Sequence, residues 1–205
     1  AERLDAAGRV LTALELSRAR ADMEAAHAAG VRSIAIALLH AYLNPIHEQQ
    51  LAQLAAELGF SQVSTSHEVS GLAKLVGRGD TTVVDAYLSP ILRRYVDQVA
   101  GALNIGGNCK ALMFMQSNGG LTDARKFQGK DAILSGPAGG IVGMVQTGQQ
   151  AGFDKLIGFD MGGTSTDVSH FAGKFERSFE TEVAGVRMRA PMMDIHTVAA
   201  GGGSI

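Results

Sequence analysis

A run of small, polar and acidic residues between positions 158 and 167 is the strongest candidate for chemistry in this sequence. Asp160 ends an apolar stretch, and before Asp167 come a glycine pair and three hydroxyl residues, namely Gly162, Gly163, Thr164, Ser165 and Thr166. Glycines permit positive φ and carry no side chain, so consecutive N–H groups can converge on an anion while the hydroxyls add short donors. The run therefore predicts a phosphate-binding turn.

The two aspartates of this run are the candidate catalytic residues. An ionised carboxylate only accepts hydrogen bonds, and beside a polyphosphate it can hold Mg²⁺ through water or orient an attacking oxygen. Asp160 and Asp167 are predicted to act in this way, with Asp160 as the metal-binding residue. A plain β-turn, in which an aspartate bonds its own backbone, explains the same string without any ligand.

A second candidate is the start of a predicted glycine-rich helix. Free N–H groups at a helix N-terminus attract anions, and small residues there let a ligand approach. The residues concerned are Ser135, Gly136, Gly139 and Gly140, around Pro137 and Ala138. Close packing of the helix on a strand, through Gly139, Gly140 and Gly143, is the alternative. No Gly-Lys-Ser/Thr follows, so the segment is not a Walker A loop.

Two further glycine-rich segments could contact a ligand. Asn118, Gly119 and Gly120 follow a predicted strand, and open α/β sheets bind ligands beyond the carboxyl ends of their strands. An ordinary turn is the alternative there. The stretch 198–204 is expected to be a frayed end, although a backbone-rich ligand loop has the same composition.

The histidines and one arginine carry weaker signals. His40, His47 and His67 lack metal-ligand spacing and an accompanying cysteine pair, which favours surface or capping roles. Arg78, close to Asp80, suits either anion binding or the bracing of a local loop.

Helices and strands alternate over the first three quarters of the chain and would position these residues. Apolar periodicity, proline at helix starts and glycine at helix ends define the elements. We predict four helices: one at 17–29, one from Asn44-Pro45 to Gly59, one that follows a loop at 77–80 and is capped by Asp80, and one that begins at Ser135. Strands are predicted at 31–39, 62–66 and 111–116, and a short extended piece at 133–134.

The pattern changes to a β-meander after Lys155. A strand at 156–159, a returning strand at 166–171 and a third at 175–179 are separated by glycine turns. We therefore predict two structural parts, an α/β layer over residues 1–152 and the opening meander of a second domain over 153–205.

Composition excludes several classes of protein. The 205 residues are 46% apolar and 19% charged, which is far from the composition of disordered chains. The net charge of −2 comes with scattered basic residues, so nucleic acid is not an expected partner. Neither is a membrane, since no apolar run is long enough to cross one. A single cysteine, Cys109, cannot form an internal disulfide, which favours the cytoplasm.

Several motifs occur in the order and spacing of a known family. From residue 30 onward the chain resembles the 5-oxoprolinase and hydantoinase A family, and the stretch 80–99 is most similar to its 5-oxoprolinase branch. The motifs are Leu39-His40, Asn44–Glu48, Gly77–Thr82, Asp85–Pro90, Ser117–Gly120, Leu134–Gly140, Gly158–Asp167 and Ile195–Ser204.

The resemblance implies an actin-like ATPase fold, of the type found in sugar kinases and heat-shock chaperones. In that fold a nucleotide binds between two related domains, and each domain contributes a phosphate hairpin. Residues 158–167 would be the second hairpin, while the first hairpin and the adenosine-binding part would lie outside residues 1–205. Residues 1–152 would end the family's N-terminal domain, and 153–205 would begin the hydantoinase A/oxoprolinase domain. We therefore expect an internal fragment that is inactive alone.

The resemblance also implies a reaction, cofactors and partners. ATP and Mg²⁺ would activate an unreactive ring amide for hydrolysis, converting 5-oxo-L-proline to L-glutamate with ADP and phosphate, a step of glutathione metabolism. Gly162, Gly163 and Thr164 would stabilise phosphate charge, Asp160 would organise Mg²⁺ or a water, and Asp167 would support the hairpin or the metal shell. The expected partners are the cyclic amide, the remainder of the polypeptide and further copies of the enzyme.

Three alternatives stay open at this point. The chain could be a catalytically inert ATP- or phosphate-binding fragment, or part of a hydantoin-cleaving member of the same family. A sugar-kinase or actin-like regulatory domain, which would phosphorylate a hydroxyl, would carry the same hairpin. Product analysis distinguishes these classes, because only the first enzyme releases glutamate from 5-oxoproline.

Overall fold

The computed structural model describes residues 1–103 and 110–203. Two residues named in the sequence analysis, Cys109 and Ser204 of the 198–204 stretch, lie outside these ranges. The helices are α1 Leu16–Ala28, α2 Ile46–Glu57, α3 Ser66–Val69, α4 Leu75–Ala102, α5 Gly129–Ala132 and α6 Ser135–Gln150, with a 3₁₀ turn at Ala124–Lys126. The strands are β1 Arg3–Leu4, β2 Val10–Thr12, β3 Ser33–Ile36, β4 Gln62–Thr65, β5 Met113–Met115, β6 Leu121–Asp123, β7 Lys155–Met161, β8 Thr166–Ala172, β9 Arg177–Ser178, β10 Thr181–Val183, β11 Val186–Met188, β12 Met192–Met193 and β13 His196–Val198. Within the described ranges, every helix is too short or too polar to cross a bilayer.

The chain forms two compact units, and both are assembled from separate segments. The first contains residues 1–102, 128–130 and 182–189, and the second contains the described residues of 103–127, 131–181 and 190–203. The domain boundary that the sequence placed at residue 152 concerns the family's own domains and stays a prediction.

The first unit is built on a β-α-β crossover. β3 and β4 pair in parallel, with Ser33 opposite Gln62, and α2 connects them, as a parallel pair requires. Glycines with positive φ, Gly30 and Gly59, follow α1 and α2 as the sequence predicted. The core contains Met23, Ile36, Leu51, Leu54, Ala55 and Phe60.

The second unit contains the predicted hairpin and the predicted glycine-rich helix. β7 and β8 are antiparallel, and β13 pairs with the other side of β8, giving the order β13-β8-β7. α6 begins at Ser135, as expected, and packs on β7 and β8. The core contains Ala138, Ile141 and Val145 from α6, together with Phe171 and Met193.

The predicted loop at 77–80 is wrong, because α4 begins at Leu75 and contains all four residues. Asp80 is therefore inside the helix and does not cap it. Gly77 is needed there for packing, since a Cβ at this position would overlap the side chain of Arg189. The buried side of α4 includes Thr81, Asp85 and Ala86, whereas Tyr87, Ile91 and Tyr95 are exposed.

Two smaller predictions about strands are corrected by the structure. Ile133 and Leu134 form a turn after α5 and not an extended piece. The predicted third strand at 175–179 is reduced to a bridge at Phe175 and to β9, which pairs with β12.

Candidate functional site

The β7–β8 hairpin places the two candidate carboxylates side by side. In its antiparallel register Gly158 lies opposite Ser169 and Asp160 lies opposite Asp167. Directly opposed residues project from the same face of a sheet, with Cβ atoms about 5 Å apart. The turn at 162–165 is closed by the N–H of Gly162, which donates to the carbonyl of Ser165 at 2.9 Å.

These carboxylates line a cleft of about 330 Å³ within the second unit. One wall is the first half of α6, and the other is the face of the hairpin that carries both aspartates. The lining residues are Pro137, Gly140, Ile141, Met144, Ile157, Gly158, Phe159, Asp160, Asp167, Ser169 and Ile195. Sequence reasoning missed Ser169, although a strand alternation of two places it on the face of Asp167.

The amides of the turn are free to bind an anion. Among the described residues, nothing accepts a hydrogen bond from the N–H of Gly163, Thr164 or Ser165. The amide of Gly162, in contrast, is used inside the turn, so it cannot contribute to the phosphate site that the resemblance implied for it. Neither Gly162 nor Gly163 has a positive φ. A Cβ on Gly162 would make only ordinary contact with the carbonyl of Ser165, at 3.7 Å.

The three hydroxyls do not share one role. Thr166 is buried, and its Oγ1 donates to the carbonyl of Ala200 at 2.6 Å. That bond removes Thr166 from the expected set of phosphate donors. Thr164 and Ser165 lie in the turn itself, and within the described ranges their hydroxyls have no protein partner.

The start of α6 is placed at the cleft, but its residues differ in what they offer. The hydroxyl of Ser135 donates to the carbonyl of Ala132, which occupies it. Gly136 is exposed, and a Cβ there would meet nothing within 4 Å. Gly140 lines the cleft, and a Cβ on it would lie 3.9 Å from Oδ2 of Asp160.

Close packing of α6 does not require the predicted glycines. A Cβ at Gly139 would make only ordinary contact with Met115, at 3.7 Å, and one at Gly143 would meet nothing. Close approach to the sheet occurs instead at Gly148, where a Cβ would lie 2.6 Å from Leu156, and at Gly158, where it would lie 2.5 Å from Ser169. Gly140 therefore has no packing role that explains it.

The turn at 118–120 is held by its own contacts and is not brought into the cleft. The segment follows a strand, β5, as predicted, but β5 pairs with β6 in an antiparallel hairpin and the segment is the turn between them. Asn118 Oδ1 accepts the N–H of Gly120 at 2.7 Å. Gly119 has φ of 82° and packs against Met193, which leaves no room for a side chain. A ligand role for Asn118, Gly119 and Gly120 stays a prediction.

The predicted frayed end is wrong for residues 198–203, the described part of that stretch. β13 pairs with β8, and beyond it Gly202 and Gly203 donate to the carbonyls of Gly162 and Gly163 at 3.0 and 2.9 Å. Thr197 Oγ1 donates to Oδ1 of Asp167 at 2.7 Å. Sequence reasoning missed Thr197, whose only signal was its place in a family motif.

Two of the three candidate histidines have carboxylate partners, whereas Nδ1 of His40 is buried without a hydrogen-bond partner among the described residues. Nδ1 of His67 lies 2.7 Å from Glu48, and Nδ1 of His47 lies 2.6 Å from Glu2. His47 is 3% exposed, so its predicted surface role is wrong. Among the described residues, no group of three or more His, Cys, Asp or Glu could hold a metal ion.

Arg78 holds backbone of segments outside 77–80, and not the local loop that the sequence predicted. The side chain is fully buried, and it donates to the carbonyls of Leu38, Leu39 and Leu72. Burial lowers the pKa of its guanidinium, and the negative charge of Glu48 opposes that effect.

Comparison with known families gives matches over most of the chain. The model described as Hydantoinase/oxoprolinase matches residues 78–205, and that described as Hydantoinase/oxoprolinase N-terminal region matches residues 1–59.

Similar curated proteins include 5-oxoprolinases. That of Saccharomyces cerevisiae is 46% identical over 203 residues, which is 96% of this chain and 15% of the yeast protein. Arabidopsis thaliana 5-oxoprolinase 1 is 46% identical over 176 residues, which is 85% of this chain and 14% of the plant protein. Caprolactamase subunit alpha of Pseudomonas jessenii is 35% identical over 179 residues, which is 85% of this chain and 26% of that subunit. The chain thus spans about 15% of the length of the 5-oxoprolinases it matches.

Two solved structures share the fold. The ATP-dependent caprolactamase from Pseudomonas jessenii superposes with a TM-score of 0.85 at 31% identity, over all of this chain and 30% of that one. Nucleotide-free acetone carboxylase, described in connection with ATP-dependent acetone carboxylation, superposes with a TM-score of 0.86 at 27% identity, over 98% of this chain and 29% of that one.

Proposed function

Because this chain belongs to the hydantoinase/oxoprolinase family and has the mixed α/β, actin-like ATPase fold of that family, we propose that the cleft binds the phosphates of ATP. The ATP would be used for the hydrolysis of a cyclic amide. The proposed overall reaction converts 5-oxo-L-proline, ATP and water to L-glutamate, ADP and phosphate. The residues described above would form one side of the nucleotide site, and the remainder of a longer polypeptide would complete it. The proposed reaction therefore belongs to that longer protein.

The pairing of Asp160 with Asp167 is the observation that carries this proposal. Two like charges directly opposite each other destabilise a hairpin unless something compensates for them. Here they line a cleft, and the turn that joins their two strands has three backbone N–H groups without an acceptor among the described residues. Carboxylates beside amide donors suit a ligand that combines a cation with an anion, as Mg-ATP does.

The residues of the cleft fit Mg²⁺ as it is bound in nucleotide enzymes. Mg²⁺ is usually held by one or two carboxylates together with waters and substrate phosphates, and seldom by a complete protein cage. Asp160 would hold it through water, and Asp167 would support the same shell. When bound, Mg²⁺ neutralises charge on the transferring phosphoryl group.

The chain's own donors would position the phosphates. The N–H groups of Gly163, Thr164 and Ser165 and the hydroxyl of Thr164 lie in the turn and can contact phosphate oxygens. The N-terminus of α6 adds a positive dipole end, and Gly140 leaves space beside Asp160. Donors fixed before the reaction stabilise developing charge without reorganisation.

The similarity to 5-oxoprolinases supports a five-membered ring amide as the substrate. Identity to the yeast protein is 46%, against 35% to caprolactamase subunit alpha. Amide resonance makes such a ring resistant to water. Transfer of the phosphoryl group to the amide oxygen, with loss of the N–H proton, would give an imidate phosphate without that resonance. One water would add to the ring carbon, and the C–N bond would then break with its electrons and a proton passing to nitrogen, which leaves an acyl phosphate. A second water would hydrolyse the acyl phosphate to the carboxylate and phosphate. Magnesium, the cytoplasmic location and assembly into homo-oligomers remain predictions.

The test is substrate-dependent ATP hydrolysis by the full-length polypeptide. Glutamate and ADP should appear together from 5-oxoproline, with caprolactam and hydantoin as competing substrates and the 205-residue chain as a sample expected to be inactive. The Asp160→Asn variant should lose about 100-fold in kcat, because the substitution removes one charge at the reacting centre. Asp154→Asn, at an exposed position before β7, is the matched control and should behave as wild type.

Two outcomes would contradict the proposal. Normal turnover by Asp160→Asn would remove this aspartate from the mechanism. A stable phosphorylated hydroxyl compound, in place of a ring-opened product, would assign the protein to the kinase alternative.

A further inference from the structure

The segment from Thr197 to Gly203, which we name the bracing segment, contacts the β7–β8 hairpin and its turn at several positions. β13 pairs with β8, with Thr197 opposite Asp167 and Val198 opposite Thr166. Beyond the strand, the carbonyl of Ala200 accepts the hydroxyl of Thr166. The next two bonds are made by backbone alone, from Gly202 to Gly162 and from Gly203 to Gly163.

The contact requires glycine at position 201. A Cβ there would lie 2.5 Å from the backbone C and O of Gly163 and from the N of Thr164. These are backbone atoms, which cannot move aside as the end of a side chain could. Gly201 therefore lets the bracing segment approach the hairpin turn directly.

This contact determines which way two amides of the turn point. A trans peptide is planar, so its C=O and N–H groups point in opposite directions. Gly202 binds the carbonyl of Gly162 and thereby directs the N–H of Gly163 away from the bracing segment. Gly203 does the same for the peptide between Gly163 and Thr164. Both of these N–H groups are among those left free for a ligand.

The bracing segment also orients one carboxylate. The hydroxyl of Thr197 occupies Oδ1 of Asp167, while Oδ2 has no donor within the part of the chain that the structure describes. A carboxylate held by one oxygen has a defined rotamer. The other oxygen is then presented in a fixed direction.

We propose that the bracing segment is a positioning device for the phosphate site: Gly201 and the backbone of 202–203 aim the N–H groups of Gly163 and Thr164, and Thr197 orients Asp167. The inference rests on the proposed function, since it assigns new residues to the same site. None of the bracing residues has to touch the nucleotide.

Two variants of the full-length protein test it, each with a matched control. Gly201→Ala should lower kcat/KM for ATP about 100-fold, the loss expected when preorganised donors at a reacting centre are misdirected. Its control is Gly101→Ala, an exposed glycine with nothing within 4 Å of an added Cβ. Thr197→Val should lower kcat about tenfold and raise the magnesium concentration for half-maximal rate, since a hydrogen bond to a charged group is lost. Thr197→Ser should restore both values, and Thr12→Val, an exposed strand threonine, is the control.

Amide hydrogen exchange measures the contact between the bracing segment and the hairpin turn independently of enzyme activity. The N–H groups of Gly202 and Gly203 should be protected in wild type and should exchange at least about tenfold faster in Gly201→Ala, because their acceptors are displaced. Faster exchange with weaker Mg-ATP binding supports the inference even if no amide is hydrolysed.

The failures of the two proposals are distinguishable. If Gly201→Ala and Thr197→Val keep wild-type ATP and magnesium parameters while Asp160→Asn is impaired, the positioning role is overturned and the proposed function stands. If no cyclic amide stimulates ATP hydrolysis, the proposed function fails, and exchange together with Mg-ATP binding decides the inference. Unchanged exchange in Gly201→Ala overturns it in either case.

Discussion

Replacing Gly140 with alanine separates the two explanations for the glycines of α6. Gly140 lies within the helix, is exposed, and would place a Cβ only 3.9 Å from Oδ2 of Asp160, which is ordinary contact. Glycine inside a helix costs about 1 kcal/mol relative to alanine. Gly140→Ala should therefore stabilise the chain by about 0.5–1 kcal/mol, which raises the melting temperature by about 1–4 °C for a protein of this size.

The same methyl group should impair nucleotide use. It would project into the cleft beside Asp160, where the proposal places the phosphates. Loss of that space should raise KM for ATP about tenfold, equivalent to about 1.4 kcal/mol. Gly143→Ala is the matched control, because Gly143 lies in the same helix, is exposed, does not line the cleft and would meet nothing with its Cβ.

Two measurements decide the outcome. Thermal unfolding followed by circular dichroism should show both variants more stable than wild type by similar amounts. Steady-state ATP kinetics of the full-length protein should show a defect in Gly140→Ala alone. A stabilised Gly140→Ala with wild-type KM would refute the ligand explanation of this glycine, and a destabilised one would refute the claim that it has no packing role.

Two further predictions concern stability and association. Glu48 is fully buried and accepts hydrogen bonds from Leu38 N, from Ser66 Oγ and from both N and Nδ1 of His67. Glu48→Gln should therefore destabilise the first unit by about 2–4 kcal/mol in urea unfolding, whereas Glu57→Gln, at an exposed position, should change the stability little. Equal stability of the two variants would contradict this prediction. Ile157, Phe159 and Met161 are 76%, 67% and 54% exposed along one face of β7. The isolated 205-residue chain should therefore self-associate, as measured by light scattering, and a variant with threonine at all three positions should associate less. A monodisperse wild-type monomer would count against that face as the cause.

The elements predicted correctly are those with local signals. Gly30 and Gly59 follow their helices with positive φ, and the start of α6 at Ser135 was read from the residues themselves. The β7–β8 hairpin followed from two apolar runs around a glycine pair. In each case the residues that determine the element lie within it or directly beside it.

The error in α4 arose from a contact that is distant in sequence. Two glycines around Arg78 look like a loop, since glycine is unfavourable inside a helix. In the structure Gly77 makes room for the side chain of Arg189, and the buried guanidinium of Arg78 binds carbonyls of another segment. These long-range contacts compensate for the unfavourable helix propensity, and no window of local sequence contains them.

The candidate site also contains one residue whose position follows from the local sequence, Thr166, and one whose position depends on a distant contact, Thr197. Neighbouring residues of a strand point to opposite faces. Once Asp160 and Asp167 are taken to share a face, alternation alone turns Thr166 away from it, and its hydroxyl indeed bonds Ala200 on the bracing segment. That correction was available from the sequence. The position of Thr197 was not available in this way, because its bond to Asp167 depends on the register of β13 against β8, and these two residues lie 30 positions apart in the chain. A candidate phosphate motif can therefore be recognised from its own ten residues, whereas the residues that orient its N–H donors can be identified only from the tertiary structure.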